Sequence, residues 1–195
     1  LYRYFGNTSS LSRKIEFIIF TPAIWAIAIF RMGSWVQSNV KNSFSRKLFM
    51  LPLKILQLFI CYPMGIEISF NAKIGRGLYI GHMGSIVVHP DATIGEFCNL
   101  SQEVTIGFGG RGNEAGVPTI GNKVYIGPGA KVFGRIKVGD NVAIGANSVV
   151  SGDVQTKAVV GGVPAKILNY KSSDAFIQNC SDVHFSTSPT PPEDS

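Results

Sequence analysis

A branched apolar residue returns every sixth position through the second half of this 195-residue chain, and few folds tolerate that rhythm. The positions are Ile68, Ile74 and Ile80, then Val88, Ile94, Leu100 and Ile106, then Ile120, Ile126, Val132, Val138, Ile144 and Val150. Glycine follows many of them, as at Gly75, Gly81, Gly95, Gly107, Gly121, Gly127, Gly139 and Gly145. Two residues before each apolar position stands a small or aliphatic side chain, among them Ala72, Ala92, Cys98, Val104, Ala130 and Val142. A period of six fits neither the 3.6 of a helix nor the two of a plain strand. It describes a short strand and a turn, repeated, with each unit burying its branched side chain on its neighbour's. Three units close a triangular coil, so one face recurs about every 18 residues.

The rhythm breaks twice. Ile80 and Val88 are eight apart, which admits two extra residues, and Ile106 and Ile120 are fourteen apart, which admits eight. Insertions in a solenoid become surface loops, often at the binding face. The second insertion opens with Gly107-Phe108-Gly109-Gly110-Arg111-Gly112-Asn113, whose glycines let backbone approach a ligand closely.

Several strings carry a resemblance to a known family. They are Glu67-Ile68, Ile74-Gly75-Arg76-Gly77, Ile80-Gly81-His82, Gln102-Glu103-Val104-Thr105-Ile106-Gly107, Ile144-Gly145-Ala146-Asn147-Ser148-Val149-Val150 and Gly161-Gly162-Val163-Pro164-Ala165-Lys166. Residues 66 to 168 thereby resemble the hexapeptide-repeat acyltransferases, within them the serine O-acetyltransferase branch and its polysaccharide-modifying, colanic-acid-type relatives. The resemblance implies a mainly-β fold: a left-handed parallel β-helix, here preceded by an N-terminal helical segment. It divides the chain into a basic, apolar helical segment (1–65), the acetyltransferase domain (66–170) and a tail (171–195) expected to be disordered from its polar, proline-rich composition. It further implies a homotrimer.

Charge is divided as unevenly as hydrophobicity. Residues 1–60 hold eight Lys or Arg against the single acid Glu16, while the rest of the chain is nearly balanced, for a total of +6. The uncharged run from Phe17 to Phe30 is short of the roughly 20 apolar residues a membrane span needs, and Pro22 predicts a helix start within it. Two readings stay open for residues 1–60: helices packed on the solenoid, or a peripheral contact with anionic lipid. Nucleic acid is not expected as a partner, because the basic residues sit among aliphatic runs. The amino end lacks the basic, apolar and small-residue pattern of a secretory signal, so the expected location is cytoplasmic, at the inner face of the membrane if the segment binds there. Cys61, Cys98 and Cys180 lack metal-site spacing, and no metal is expected.

The resemblance places a catalytic base at His82, and the chemistry agrees with it. Transfer of an acyl group from a thioester to a hydroxyl needs a base with a pKa near working pH, which imidazole supplies. Glu67, fifteen residues earlier, matches the family's carboxylate and would orient that imidazole. His89 and His184 match nothing comparable. For acetyl-CoA, the co-substrate, the resemblance implies contacts at Gly127, Gly145, Ala146 and Ser151, with Lys166 near the nucleotide phosphates. A backbone N–H at Gly109 or Gly127 would hold the thioester oxygen.

Acceptor identity rests on two departures. Where serine acetyltransferases carry an acid before the catalytic histidine and a His-Pro pair closing the loop, this chain has Gly81 and Val117-Pro118. Two contacts to a zwitterion are missing, and unpaired charge in a partly dry site is costly. The expectation is therefore O-acetylation of a sugar hydroxyl in a surface polysaccharide or its lipid-linked precursor, with Arg111 and Asn113 binding the acceptor. The alternatives are serine O-acetylation in cysteine biosynthesis and a non-catalytic β-helix scaffold anchored by residues 1–60.

Overall fold

The computed structural model describes residues 2–5 and 10–177, so His184, Cys180 and the proline-rich end of the tail lie outside the described residues. Four helices come first: α1 (Tyr2–Phe5), α2 (Leu11–Phe20), α3 (Pro22–Asn39) and α4 (Ser43–Leu56), which runs on as a π-helical turn over Gln57–Cys61. Pro22 opens α3 at the first helical turn, where a missing N–H is no loss. The uncharged run is thereby split into two helices that meet at 81°. Asn42 caps α4, its Oδ1 accepting the Ser45 N–H at 3.0 Å.

The solenoid follows. Its first coil is β1 (Ile66–Ile68), β2 (Lys73–Ile74) and β3 (Tyr79–Ile80), and its second is β4 (Ile86–Val88), β5 (Thr93–Ile94) and β6 (Asn99–Leu100). The third is β7 (Thr105–Gly107), β8 (Thr119–Ile120) and β9 (Tyr125–Ile126), and the fourth is β10 (Lys131–Phe133), β11 (Lys137–Val138) and β12 (Ala143–Ile144). Strands β13 (Val149–Val150) and β14 (Val159–Gly161) make the last coil, and β15 (Lys166–Asn169) folds back antiparallel on β14. Corresponding strands pair in parallel to give three sheets: β1-β4-β7-β10-β13, β2-β5-β8-β11 and β3-β6-β9-β12-β14. This is the mainly-β hexapeptide solenoid that the six-residue period predicts, with the N-terminal helices that the family resemblance implies.

Register converts the period into a core. Ile68, Val88, Ile106, Val132 and Val150 stack in one file. Ile74, Ile94, Ile120 and Val138 stack in a second. Ile80, Leu100, Ile126, Ile144 and Val160 stack in a third. All fourteen are buried. Each contributes about 1.5–3 kcal/mol of hydrophobic stabilisation. The small positions fill the gaps between files. Cys98 is one of them, fully buried, with its thiol donating to Gly121 O at 3.2 Å. Burial pushes its pKa up to about 12, so it carries no thiolate at neutral pH and serves packing.

The helices dock on the open start of the solenoid. The Arg31 guanidinium donates to the carbonyls of Ile74 and Gly75, and Gln57 Nε2 donates to Ile68 O at 2.9 Å. Gly33 lets the Phe70 ring lie directly on α3, where a Cβ would overlap it. At the other end of the chain, residues 170–177 do not drift away. Ser173 donates through its Oγ to Lys123 O and through its N–H to Asn141 O, and Phe176 stacks on Tyr125 with centroids 4.6 Å apart.

Two outcomes follow for stability and reactivity. Ile126→Ala should cost about 2–5 kcal/mol, read as a lower midpoint in denaturant unfolding. In native protein treated with iodoacetamide at neutral pH, peptide mapping should find Cys98 unmodified, and it should react once the chain is unfolded.

Candidate active site

The edge of the prism that joins the third sheet to the first collects the residues of interest. It is formed by the turns that follow β3, β6, β9, β12 and β14. Those turns begin at Gly81, Ser101, Gly127, Gly145 and Gly162. They stack because the backbone ladder continues around the corner. The N–H of Ser101 donates to Ile126 O at 3.1 Å, that of Gly127 to Ile144 O at 2.9 Å and that of Gly145 to Val160 O at 2.8 Å. A Cβ at Gly127 would sit 2.8 Å from Ile144 O, so this turn needs glycine to stack so closely.

His82 lies at the lower end of this edge, exposed, in the turn widened by the two-residue insertion. Gly127, Gly145 and Ala146 lie above it on the same edge. At about 4.8 Å per coil, Gly145 stands some 14 Å above the His82 turn. Lys166, exposed on β15, pairs in register with Gly161 and so ends the same line. Ser151 and Gly109 lie elsewhere. They follow β13 and β7, on the neighbouring edge between the first and second sheets.

A cavity of about 260 Å³ borders His82, walled by Arg3, Tyr4, Tyr79, Asn99, Ser101 and Tyr125, among others. Arg3 is buried, donates to Asn99 Oδ1 and lies 5.7 Å from the centroid of the Tyr79 ring. Tyr4 donates its hydroxyl to Ile80 O at 2.9 Å. Desolvation raises its pKa to about 12, so it is a neutral hydroxyl there. Phe176 closes the far side, its carbonyl accepting from Asn99 Nδ2 at 3.0 Å. Both ends of the described chain thus meet at this cavity. No sequence pattern links position 3 to position 80, and Arg3 and Tyr4 were not foreseen.

Glu67 projects from the middle of β1, exposed, one coil below the strand that follows the His82 turn. The Ile86 N–H donates to Gly65 O at 2.7 Å, which stacks the two segments at one corner. Glu67 nevertheless borders a different cavity, of about 450 Å³, with Tyr62, Asn71, His89 and Gly107 among its walls. His89 Nδ1 accepts the Asp91 N–H at 3.1 Å, which leaves Nε2 as the protonated nitrogen of the neutral ring. The structure brings Glu67 together with His89 and not with His82 in one cavity. Repeat register carries this signal, since β1 and β4 pair twenty residues apart and end with Ile68 beneath Val88, the residue before His89.

The eight-residue insertion is a built loop. Gly109 and Gly116 exchange N–H···O bonds of 2.9 Å, and a 3₁₀ turn covers Gly112–Glu114. Arg135, one coil up, donates its N–H to Glu114 O and its Nε to Ala115 O, both at 3.1 Å. Arg111 and Asn113 are exposed at its tip and border neither cavity. Among the described residues no cluster of three potential metal ligands occurs.

Comparison with known proteins fixes the lineage. The description "bacterial transferase hexapeptide (six repeats)" matches residues 118–152. The serine acetyltransferase of Helicobacter pylori is 34% identical over 168 residues, which are 86% of this chain and 94% of that protein. That of Synechococcus elongatus is 33% identical over 168 residues, and this chain spans only 65% of its length. The crystal structure of the Brucella abortus serine acetyltransferase in complex with coenzyme A superposes with a TM-score of 0.71 at 29% identity, covering 87% of this chain and 65% of that one. These relatives overturn the expectation of a sugar hydroxyl as acceptor. The inference from Gly81 and Val117 fails physically because it counted only two positions. The His82 cavity holds a buried cation, Arg3, and the polar groups of Asn99 and Ser101, none of which the sequence placed there. With 34% identity to the Helicobacter protein over 94% of its length, the chain belongs to the serine acetyltransferase family of hexapeptide-repeat transferases.

Proposed function

We propose that this protein is an acetyl-CoA-dependent serine O-acetyltransferase. The observation that carries the reading is the 34% identity that extends over 94% of the Helicobacter pylori serine acetyltransferase. Supporting it, His82 stands at one end of the edge that carries Gly127, Gly145 and Ala146, which suits a long co-substrate laid along the edge with its thioester at the histidine. Lys166 at the top of that edge offers a point charge for phosphate.

In this reaction His82 takes the proton of the serine hydroxyl as its oxygen bonds to the thioester carbonyl carbon. The negative charge that develops on the carbonyl oxygen is met by a hydrogen-bond donor, which is neither of the two expected, since the Gly127 N–H is bonded to Ile144 O and the Gly109 N–H to Gly116 O. When the tetrahedral intermediate collapses, the carbon–sulfur bond breaks and the imidazolium returns its proton to the departing thiolate. No acyl-enzyme forms, and buried, protonated Cys98 is no nucleophile. Glu67 acts on the histidine by orientation, and the meeting of the two requires movement of both exposed side chains. Arg3 supplies the cation for the acceptor's carboxylate.

The acting form is a homotrimer, in which a neighbour covers the open side of the His82 edge, and it works in the cytoplasm. Ser151, Gly109, Arg111 and Asn113 contribute, in this form, from the edge and loop that a neighbouring subunit presents.

Purified protein given acetyl-CoA and free serine should release coenzyme A, and silence with serine would overturn the acceptor. His82→Ala should lower turnover about 10²–10⁴-fold while leaving coenzyme A affinity unchanged. Equal turnover in parent and variant would remove His82 from the mechanism.

A further inference from the structure

The helical segment turns an apolar surface outward. In α4, Phe44, Leu48, Leu51 and Ile55 follow the i, i+4, i+7, i+11 spacing of one helix face, and all four are exposed. The opposite side of the same helix holds its buried residue, Leu53. The helix is therefore apolar on both sides, one packed and one bare. The bare side continues past α4 through Leu58, Phe59 and Tyr62, with Phe59 72% exposed. Around the helix, exposed Pro52 and Leu56 carry it toward a groove against α3, where Met32, Trp35 and Phe49 line a space of about 530 Å³. Helix α2 adds Leu11, Ile15 and Ile19 at four-residue intervals and buries nothing.

Charge selects what covers this face. Lys47 and Lys54 border the α4 stripe, exposed, and Lys41 lies just before the helix. Across residues 1–60 a single acid faces eight basic residues. A second copy of the same face would oppose like charges at close range. A bilayer rich in anionic lipid offers hydrocarbon for the stripe and phosphate for the lysines. No single described helix is long and apolar enough to cross a membrane, and the α2–α3 pair is bent by 81°. A basic, amphipathic helix of this length lies in the interface plane. We propose that the outer side of α4, with the α3 groove at Trp35, is a docking face for anionic phospholipid bilayers. It stands whatever acceptor the enzyme uses.

The two tryptophans of the chain, Trp25 and Trp35, are both exposed on α3, so intrinsic fluorescence reports on this segment. The test uses the full chain with Trp25→Phe, leaving Trp35 as reporter, and vesicles of phosphatidylcholine alone or with phosphatidylglycerol. Expected are co-sedimentation with the anionic vesicles at low salt, weakening as salt screens the lysines, and a blue shift of Trp35 emission. Lys41→Glu with Lys47→Glu should weaken vesicle binding about thirtyfold or more, with acetyl-CoA turnover and far-ultraviolet circular dichroism unchanged. The proposal is overturned if the parent stays in the supernatant at low salt, if the double variant binds as the parent does, or if Trp35 emission does not move. Concentration-dependent growth in mass by light scattering, abolished by Leu51→Asp and without vesicle binding, would assign the face to a second copy and also overturn it. Vesicle binding without serine acetylation would overturn the proposed reaction and leave the docking face standing.

Discussion

Coil-on-coil register is the constraint on which everything else rests. Each strand is two to four residues long and holds no structure alone. It is fixed by parallel hydrogen bonds to the strand a coil below and by a branched side chain seated on its counterpart, as Ile126 sits on Leu100 and Ile144 on Ile126. A slip of one residue would turn a whole file outward. Because the ladder also runs around the corners, the turns are held as firmly as the strands, and an edge of exposed turns becomes a rigid straight line. The site borrows its geometry from that line.

The same constraint explains what a reader of the sequence could see. The three files, the small positions including Cys98 and both insertions were legible, because a period leaves its mark at every repeat. Gly127, Gly145 and Ala146 were named from the family resemblance and not from the count, which is why Ser151, on the neighbouring edge, was named with them. What the period did not encode was anything packed on the outside. Arg3, Tyr4 and Phe176 reach the His82 cavity through long-range contacts that occur once and do not repeat, among them Tyr4 bonded to Ile80 and Arg3 to Asn99. A non-repeating contact leaves no repeating trace.

That blind spot also misdirected the reading of the acceptor. Gly81 and Val117 count as losses of polar contact to a zwitterion only while the rest of the pocket wall is unknown. The structure adds a wall from the N-terminal turn, and the wall is cationic. Glu67 gives the converse lesson: its corner stacks under the His82 turn, yet its side chain borders the cavity of His89, because strand alternation, not sequence spacing, decides which way a side chain leaves the sheet. The helices in turn depend on the solenoid for a single buried face, held by Arg31 and Gln57, and their other face is left for a different solvent.

The closure of one cavity by both ends of the described chain has a consequence for biosynthesis. Coils can stack one after another as they leave the ribosome, each templated by the one before it. The His82 turn is in place after the first two coils, but its far wall is Phe176, nearly the last described residue to be made. A nascent chain therefore carries its histidine long before it carries a finished pocket, which waits until Phe176 has been made.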